Sequence, residues 1–125
     1  MYNLVFELAL CCNYRIALND KNQRFGFANI NLGLMPGKDG VVRMTREIGI
    51  EKTLDFLLFE KLLNVKSLIE KGVLQNSADS LEELTSLAES FINKNQKCKQ
   101  PWDIKGYKIP GGAYYQNDNT LIIAD

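Results

Sequence analysis

The chain has 125 residues, with 15 Lys and Arg against 15 Asp and Glu, and 46% of it is hydrophobic. That length allows one domain at most and the apolar share supports a real core, while the cancelled charge offers no basic surface to nucleic acid or an anionic membrane. Histidine is absent, which removes histidine triads, histidine general bases and nearly all zinc-hydrolase sites.

Residues 3–12 are good helix formers, with Val5, Leu8, Ala9 and Cys12 on one face. The segment is apolar nearly all round, which predicts a buried helix. It falls short of the roughly 20 apolar residues of a membrane span. It also lacks a basic flank and carries Glu7 at its middle, which argues against a signal peptide. Residues 14–18 read as a short strand, 19–23 as a polar turn, and 24–28 as a second strand with Phe25 and Phe27 on one side. The stretch 31–40 is broken by Gly33, Pro36, Gly37 and Gly40 and reads as a loop.

Helices follow. Residues 41–48 predict a short helix stopped by Gly49 in the left-handed conformation. Residues 51–63 place Leu54, Leu57, Leu58 and Leu62 on one stripe, and 65–71 add Val65, Leu68 and Ile69 before Gly72. Val73 and Leu74 suit a short strand. Residues 80–94 open on Ser80-x-x-Glu83, a capping box in which each side chain can satisfy the other residue's free amide. The apolar stripe there is Leu81, Leu84, Leu87, Ala88 and Phe91. Residues 121–124 could add a last strand.

From Lys97 onward prolines and glycines break any periodicity, while Trp102, Tyr107, Tyr114 and Tyr115 sit on an otherwise polar segment. This predicts two parts, a folded unit over residues 1–96 and an extended tail over 97–125 that docks or frays. Of the three cysteines, Cys11 and Cys12 are adjacent and so poorly placed to bridge each other, and no C-x-x-C spacing supports zinc. They read as reduced thiols, which points to the cytoplasm.

Several residues have two readings from the residues alone. Glu7 on an apolar helix is either a half-buried structural acceptor or a functional carboxylate, because burying a charge is costly and needs a reason. Asn29 is a turn-edge residue or a polar pocket group. Gly33-x-x-x-Gly37-Lys38 is one spacer short of a Walker loop, and Asp39 would repel phosphate. Arg43 and Arg46 lie three apart on one helical face, either solvated or paired with Glu47 or Asp39, or free to reach phosphates.

The order of parts between Glu7 and Arg46 carries a resemblance. A helix with an inward carboxylate, Glu7-Leu-Ala-Leu-Cys-Cys12, is followed by Ala28-Asn29-Ile30-Asn31-Leu32-Gly33, then Met35-Pro36-Gly37-Lys38-Asp39-Gly40, then Val42-Arg43-Met44-Thr45-Arg46. This resembles the second half of a crotonase (enoyl-CoA hydratase/isomerase) domain, in the version found in bacterial multifunctional fatty-acid oxidation α-subunits. The stretch from Gln100 to Gly112 also resembles the segment after the hydratase domain in some of those proteins, so the likeness covers about residues 4–112.

The resemblance implies an α/β fold, a partial crotonase ββα spiral with a helix-rich C-terminal part. It implies chemistry on acyl-CoA thioesters, in which two backbone amides hold the developing enolate oxygen and carboxylates move protons. Coenzyme A would enter as part of the substrate, with no separate cofactor or metal. Carried over residue by residue, Leu4 takes the position of an oxyanion amide donor, where the family uses a glycine run matched here by Asn3, Leu4 and Val5. Glu7 takes the first acid/base position. Asn29 replaces the second family glutamate and cannot exchange protons near neutral pH. Pro36 and Gly37 fall in the substrate-binding loop, in which Asp39 replaces one glycine.

The family's first half, which supplies the other oxyanion amide and grips the CoA adenine, has no counterpart in these residues, nor has a dinucleotide Gly-x-Gly-x-x-Gly. Three readings follow: a hydratase/isomerase-like fragment of fatty-acid β-oxidation, inactive or weakly active alone; a non-catalytic acyl-CoA-binding or interaction module completed by a partner chain carrying the first half; and a small interaction protein without a thioester role. Half a spiral would leave a sheet edge and the helix 5–12 uncovered, which predicts poor monomeric stability and self-association.

Overall fold

The computed structural model describes residues 4–37, 39–60, 62–112, 115–117 and 120–122. Helix α1 spans Leu4–Ala9 and is followed by strands β1 (Ile16–Leu18) and β2 (Phe25–Gly26). A 3-10 turn over Ala28–Leu32 ends at Gly33 and leads by a loop into α2, Gly40–Ile48. Then come α3 (Ile50–Asp55), a π-helical turn (Phe56–Glu60) and β3 (Leu62–Leu63). The remaining elements are α4 (Val65–Glu70), β4 (Asn76–Ala78), α5 (Leu81–Lys94), a 3-10 turn (Pro101–Asp103), β5 (Tyr115–Asn117) and β6 (Thr120–Ile122).

Among the described residues the strands form three separate pairs. β1 runs parallel to β4, with Ile16 opposite Asn76 and Leu18 opposite Ala78, and β2 runs antiparallel to β3, with Phe25 opposite Leu63. β5 and β6 make a hairpin, with Tyr115 opposite Ile122. This is the expected mixed α/β arrangement of short strand pairs covered by helices. Three phenylalanines from distant parts of the sequence hold α1 to it. The rings of Phe6 and Phe27 lie 5.2 Å apart edge to face, Phe27 and Phe56 5.7 Å apart edge to face, and Phe6 and Phe56 6.0 Å apart stacked. Leu10, Met44, Ile48, Leu68 and Val73 extend that core.

Beside the aromatic core lies a buried ion pair. Arg15 is 5% exposed and donates through Nε to the Val73 carbonyl at 2.7 Å, through Nη1 to the Cys12 carbonyl at 2.6 Å, and through Nη2 to Glu47. Gln75 completes the set, accepting from the Arg15 backbone N–H at 2.8 Å and donating to Glu47. Glu47 therefore pairs with Arg15, not with Arg43 or Arg46.

Several expected details differ. Helix α1 ends at Ala9 and buries Phe6 and Glu7, while Val5 and Leu8, expected on the buried face, are exposed. The Phe6–Phe27 contact rotates the helix so that its aromatic ring, not its aliphatic side, enters the core. The helix expected over 51–63 is split by the π turn, which swings Phe56 and Leu57 inward and leaves Leu54 and Leu58 exposed. Val73 and Leu74 are buried but lie outside any strand, and β4 begins at Asn76. At α5, Ser80 Oγ accepts from the Glu83 N–H at 3.1 Å as expected, but Glu83 reaches back to the Asp79 N–H at 2.8 Å, not to Ser80. Gly49 ends α2 at φ 93°, ψ 167°, a glycine conformation but not the left-handed helical one. Tyr114 and residues 123–124 of the expected last strand lie outside the described residues.

The segment after α5 returns to the first helices. Gln100 Nε2 donates to the Cys11 carbonyl at 2.9 Å, Arg46 lies 5.7 Å from the centre of the Trp102 ring, and the Tyr107 hydroxyl donates to the Arg46 carbonyl. Pro110 closes over Gly49, where any side chain would run into the Pro110 carbonyl. Among the described residues no helix is long and apolar enough to cross a membrane.

Candidate active site

Glu7 is the centre of the site. It is 5% exposed, on a six-residue helix fixed by the Phe6 ring on one side and Leu10 one turn on. Its Oε1 accepts a hydrogen bond from the Gly37 N–H at 3.2 Å, which ties the Pro36–Gly37 loop to α1 across 30 residues of sequence. Its Oε2 is buried and has no hydrogen-bond partner among the described residues. Leaving such an oxygen unsatisfied costs about 1–3 kcal/mol, more for a charged group.

The room for Glu7 comes from Gly40. A Cβ at Gly40 would lie 2.8 Å from Glu7 Cγ and 3.1 Å from a Phe27 ring carbon, so the first residue of α2 forms a wall that only glycine leaves open. The sequence marks Gly40 as a loop breaker and as the end of the motif over 35–40, not as a wall beside Glu7. Its spacing from Gly37 was the available signal, because two glycines flanking a turn mark a close approach of backbone to something. Asp39, between them, has φ 61°, left-handed backbone that favours glycine.

The other expected site residues are placed as follows. Leu4 opens α1 and is 60% exposed; a first-turn N–H has no partner within its helix. Asn3 lies outside the described residues. Asn29 sits half-buried in the 3-10 turn, its carbonyl accepting from the Leu34 N–H at 3.1 Å. Pro36 is half-buried and Gly37 exposed beside Glu7. The fold thus brings Glu7, Gly37 and Gly40 into contact and sets Leu4 on the same helix as Glu7. No hydrogen bond between Glu7 and Asn29 is described, and Arg46 serves the Trp102 contact instead. No three His, Cys, Asp or Glu among the described residues form a group that could hold a metal ion.

The result is a buried carboxylate in a low-dielectric setting, steadied through one oxygen, the other being without a hydrogen-bond partner among the described residues. That is an arrangement suited to moving a proton.

Comparisons with known proteins show the family. The family model for enoyl-CoA hydratase/isomerase matches residues 6–101. The fatty acid oxidation complex subunit alpha of Aliivibrio fischeri is 39% identical over 93 residues, 74% of this chain and 14% of that protein. The corresponding subunit of Vibrio vulnificus is 34% identical over 108 residues, 86% of this chain and 15% of that protein. The chain therefore spans about one seventh of the length of these curated relatives. Among solved structures, "Enoyl-CoA Hydrates Subunit I" of Geobacillus kaustophilus superposes with a TM-score of 0.62 at 33% identity, covering 71% of this chain and 35% of that one. The enoyl-CoA hydratase of Bacillus anthracis, at 22% identity, shares the fold with a TM-score of 0.66 over 74% of this chain and 35% of its own. With 96 contiguous residues under the family model and a relative 39% identical over 74% of it, this chain belongs to the enoyl-CoA hydratase/isomerase family.

Proposed function

We propose that this chain is the Glu7-bearing part of an enoyl-CoA hydratase/isomerase-like site of fatty-acid β-oxidation, inactive or weakly active alone. In this reading Glu7 exchanges a proton with the acyl chain near the thioester. The Leu4 N–H is one donor to the developing enolate oxygen, and Pro36 and Gly37 border the substrate. Asn29 stands where a second carboxylate would act, so one carboxylate carries the proton transfer. Coenzyme A is part of the substrate, and residues 97–125 correspond to the segment that follows the domain. The observation that supports this is the unpartnered, buried Oε2 of Glu7. A structural glutamate would be expected to have both oxygens satisfied.

The test is hydration of crotonyl-CoA followed spectrophotometrically, with the chain alone and with a polypeptide supplying the rest of the domain. Activity that appears only in the mixture and is abolished by Glu7→Gln supports the reading. Turnover unchanged by Glu7→Gln removes Glu7 from the mechanism. Failure of the chain to bind an acyl-CoA in either state removes the thioester role.

A further inference from the structure

Two contacts pin the far end of α5 and the chain after it to the segment that follows α1. Tyr14 stacks on Phe91, with ring centres 4.3 Å apart and planes 5° from parallel. Gln100 Nε2 donates to the Cys11 carbonyl at 2.9 Å, across 89 residues of sequence. Cys98 lies between these pins, two residues before Gln100. Cys11, Cys12 and Cys98 are all free and exposed. Contacts on both sides of a thiol confine it and raise its effective concentration toward a neighbour, as a short linker does.

The two thiols nearest the second pin are lightly held. Cys11 Sγ donates to the Glu7 carbonyl at 3.5 Å and Cys98 Sγ to the Asn95 carbonyl at 3.2 Å, and a thiol is a weak donor. A disulfide needs Cα atoms within about 7 Å of each other. Residues 95–100 form neither helix nor strand, so closing to that distance breaks no element. Cys12 is the poorer partner: its carbonyl is held by the buried Arg15 guanidinium at 2.6 Å, and Gln100 meets Cys11 instead. Lys97 and Lys99, both exposed, flank Cys98, an electropositive setting of the kind in which redox-active thiols are found.

We propose that Cys11 and Cys98 form a redox pair, reduced at rest and joined by peroxide into a disulfide that fastens the segment after α5 to the end of α1, the helix that carries Glu7. Hydrogen peroxide oxidises the Cys98 thiol to a sulfenic acid, and one water is released. The Cys11 sulfur, as thiolate, then attacks the Cys98 sulfur. The S–S bond forms, the S–O bond breaks, and the hydroxide leaves as a second water with the proton that Cys11 gave up. The two thiols lose two electrons in all, and the peroxide gains them. A thiol reductant reverses the bond.

The test treats the purified 125-residue chain with an equivalent of hydrogen peroxide, then counts free thiols and maps disulfide-linked peptides by mass spectrometry. A monomer is expected in which Cys11 is joined to Cys98 and Cys12 alone stays free, with all three thiols restored by dithiothreitol. Cys11→Ser and Cys98→Ser should each abolish the product, and Cys12→Ser should leave it. In a glutathione redox buffer the bond should be favoured by about 10-fold or more in the native chain over the chain in urea, because the two pins exist only in the fold. A Cys11–Cys12 or Cys12–Cys98 bond, a product that is only a disulfide-linked dimer, thiols oxidised without any bond, or equal formation in urea would each overturn the proposal. None of these readouts involves an acyl-CoA, so the pair stands or falls apart from the thioester role.

Discussion

Gly40 and Glu7 share one volume: the space a Gly40 side chain would occupy is already filled by Glu7 Cγ, 2.8 Å from the position of that Cβ. The start of α2 and the middle of α1 are therefore set by a single steric fit. Gly40→Ala should destabilise the chain by about 1–3 kcal/mol through overpacking. Glu7→Ala removes the clashing Cγ, so in the double variant Gly40→Ala should cost less by about 1 kcal/mol or more. Urea denaturation of the four proteins measures this, and strict additivity would place the strain elsewhere.

Glu7 itself should be retained at the expense of stability. Its Oε2 is buried without a partner, and a methionine fills similar space without a charge. Glu7→Met is expected to raise stability by about 1–2 kcal/mol despite losing the Gly37 hydrogen bond. A destabilised Glu7→Met protein would mean that the Gly37 contact outweighs the cost of the unpaired oxygen.

The Arg15–Glu47 pair should behave in the opposite way. With side chains 4% and 13% exposed, removing either member strands the other in the interior. Arg15→Met and Glu47→Gln should each cost about 3–5 kcal/mol, and the double replacement less than their sum. Additive costs in chemical denaturation would show the two groups acting separately.

The contact of Tyr107 with α2 should loosen in alkali. Burial raises the Tyr107 pKa above 10.0, and the Glu47 carboxylate raises it further, against a smaller opposing effect of Arg46. The folded chain thus holds the phenolic proton more tightly than the unfolded chain. The stabilisation is whole below about pH 10 and is lost as pH rises through the folded value. Phenolate absorbance should titrate late for one tyrosine, and Trp102, the single tryptophan, should change its fluorescence in the same range. In Tyr107→Phe the late titration should vanish.

Much of this was legible because it is local. Ser80 opening α5, Gly49 closing α2 and the turn at Gly33 are decided by residues within four positions of each other. Glu7 was legible because a charge on an apolar helix demands an explanation. What escaped were relations across sequence. The face that α1 buries is chosen by Phe27 and Phe56, and the π turn is set by where Phe56 must point to meet them. Arg15, inside the strand expected over 14–18, drew no reading of its own because its acceptors, the Val73 carbonyl and Glu47, lie 58 and 32 residues away.

The parallel pairing of β1 with β4 joins residues 60 positions apart, and the Arg15 guanidinium meets the Val73 carbonyl across nearly the same distance. Contacts of such long range close late and slowly. As the chain leaves the ribosome, β1 must therefore wait, with Arg15 wet, until Val73 and β4 have been made. That interval is when a chaperone has most to hold and a protease most to cut.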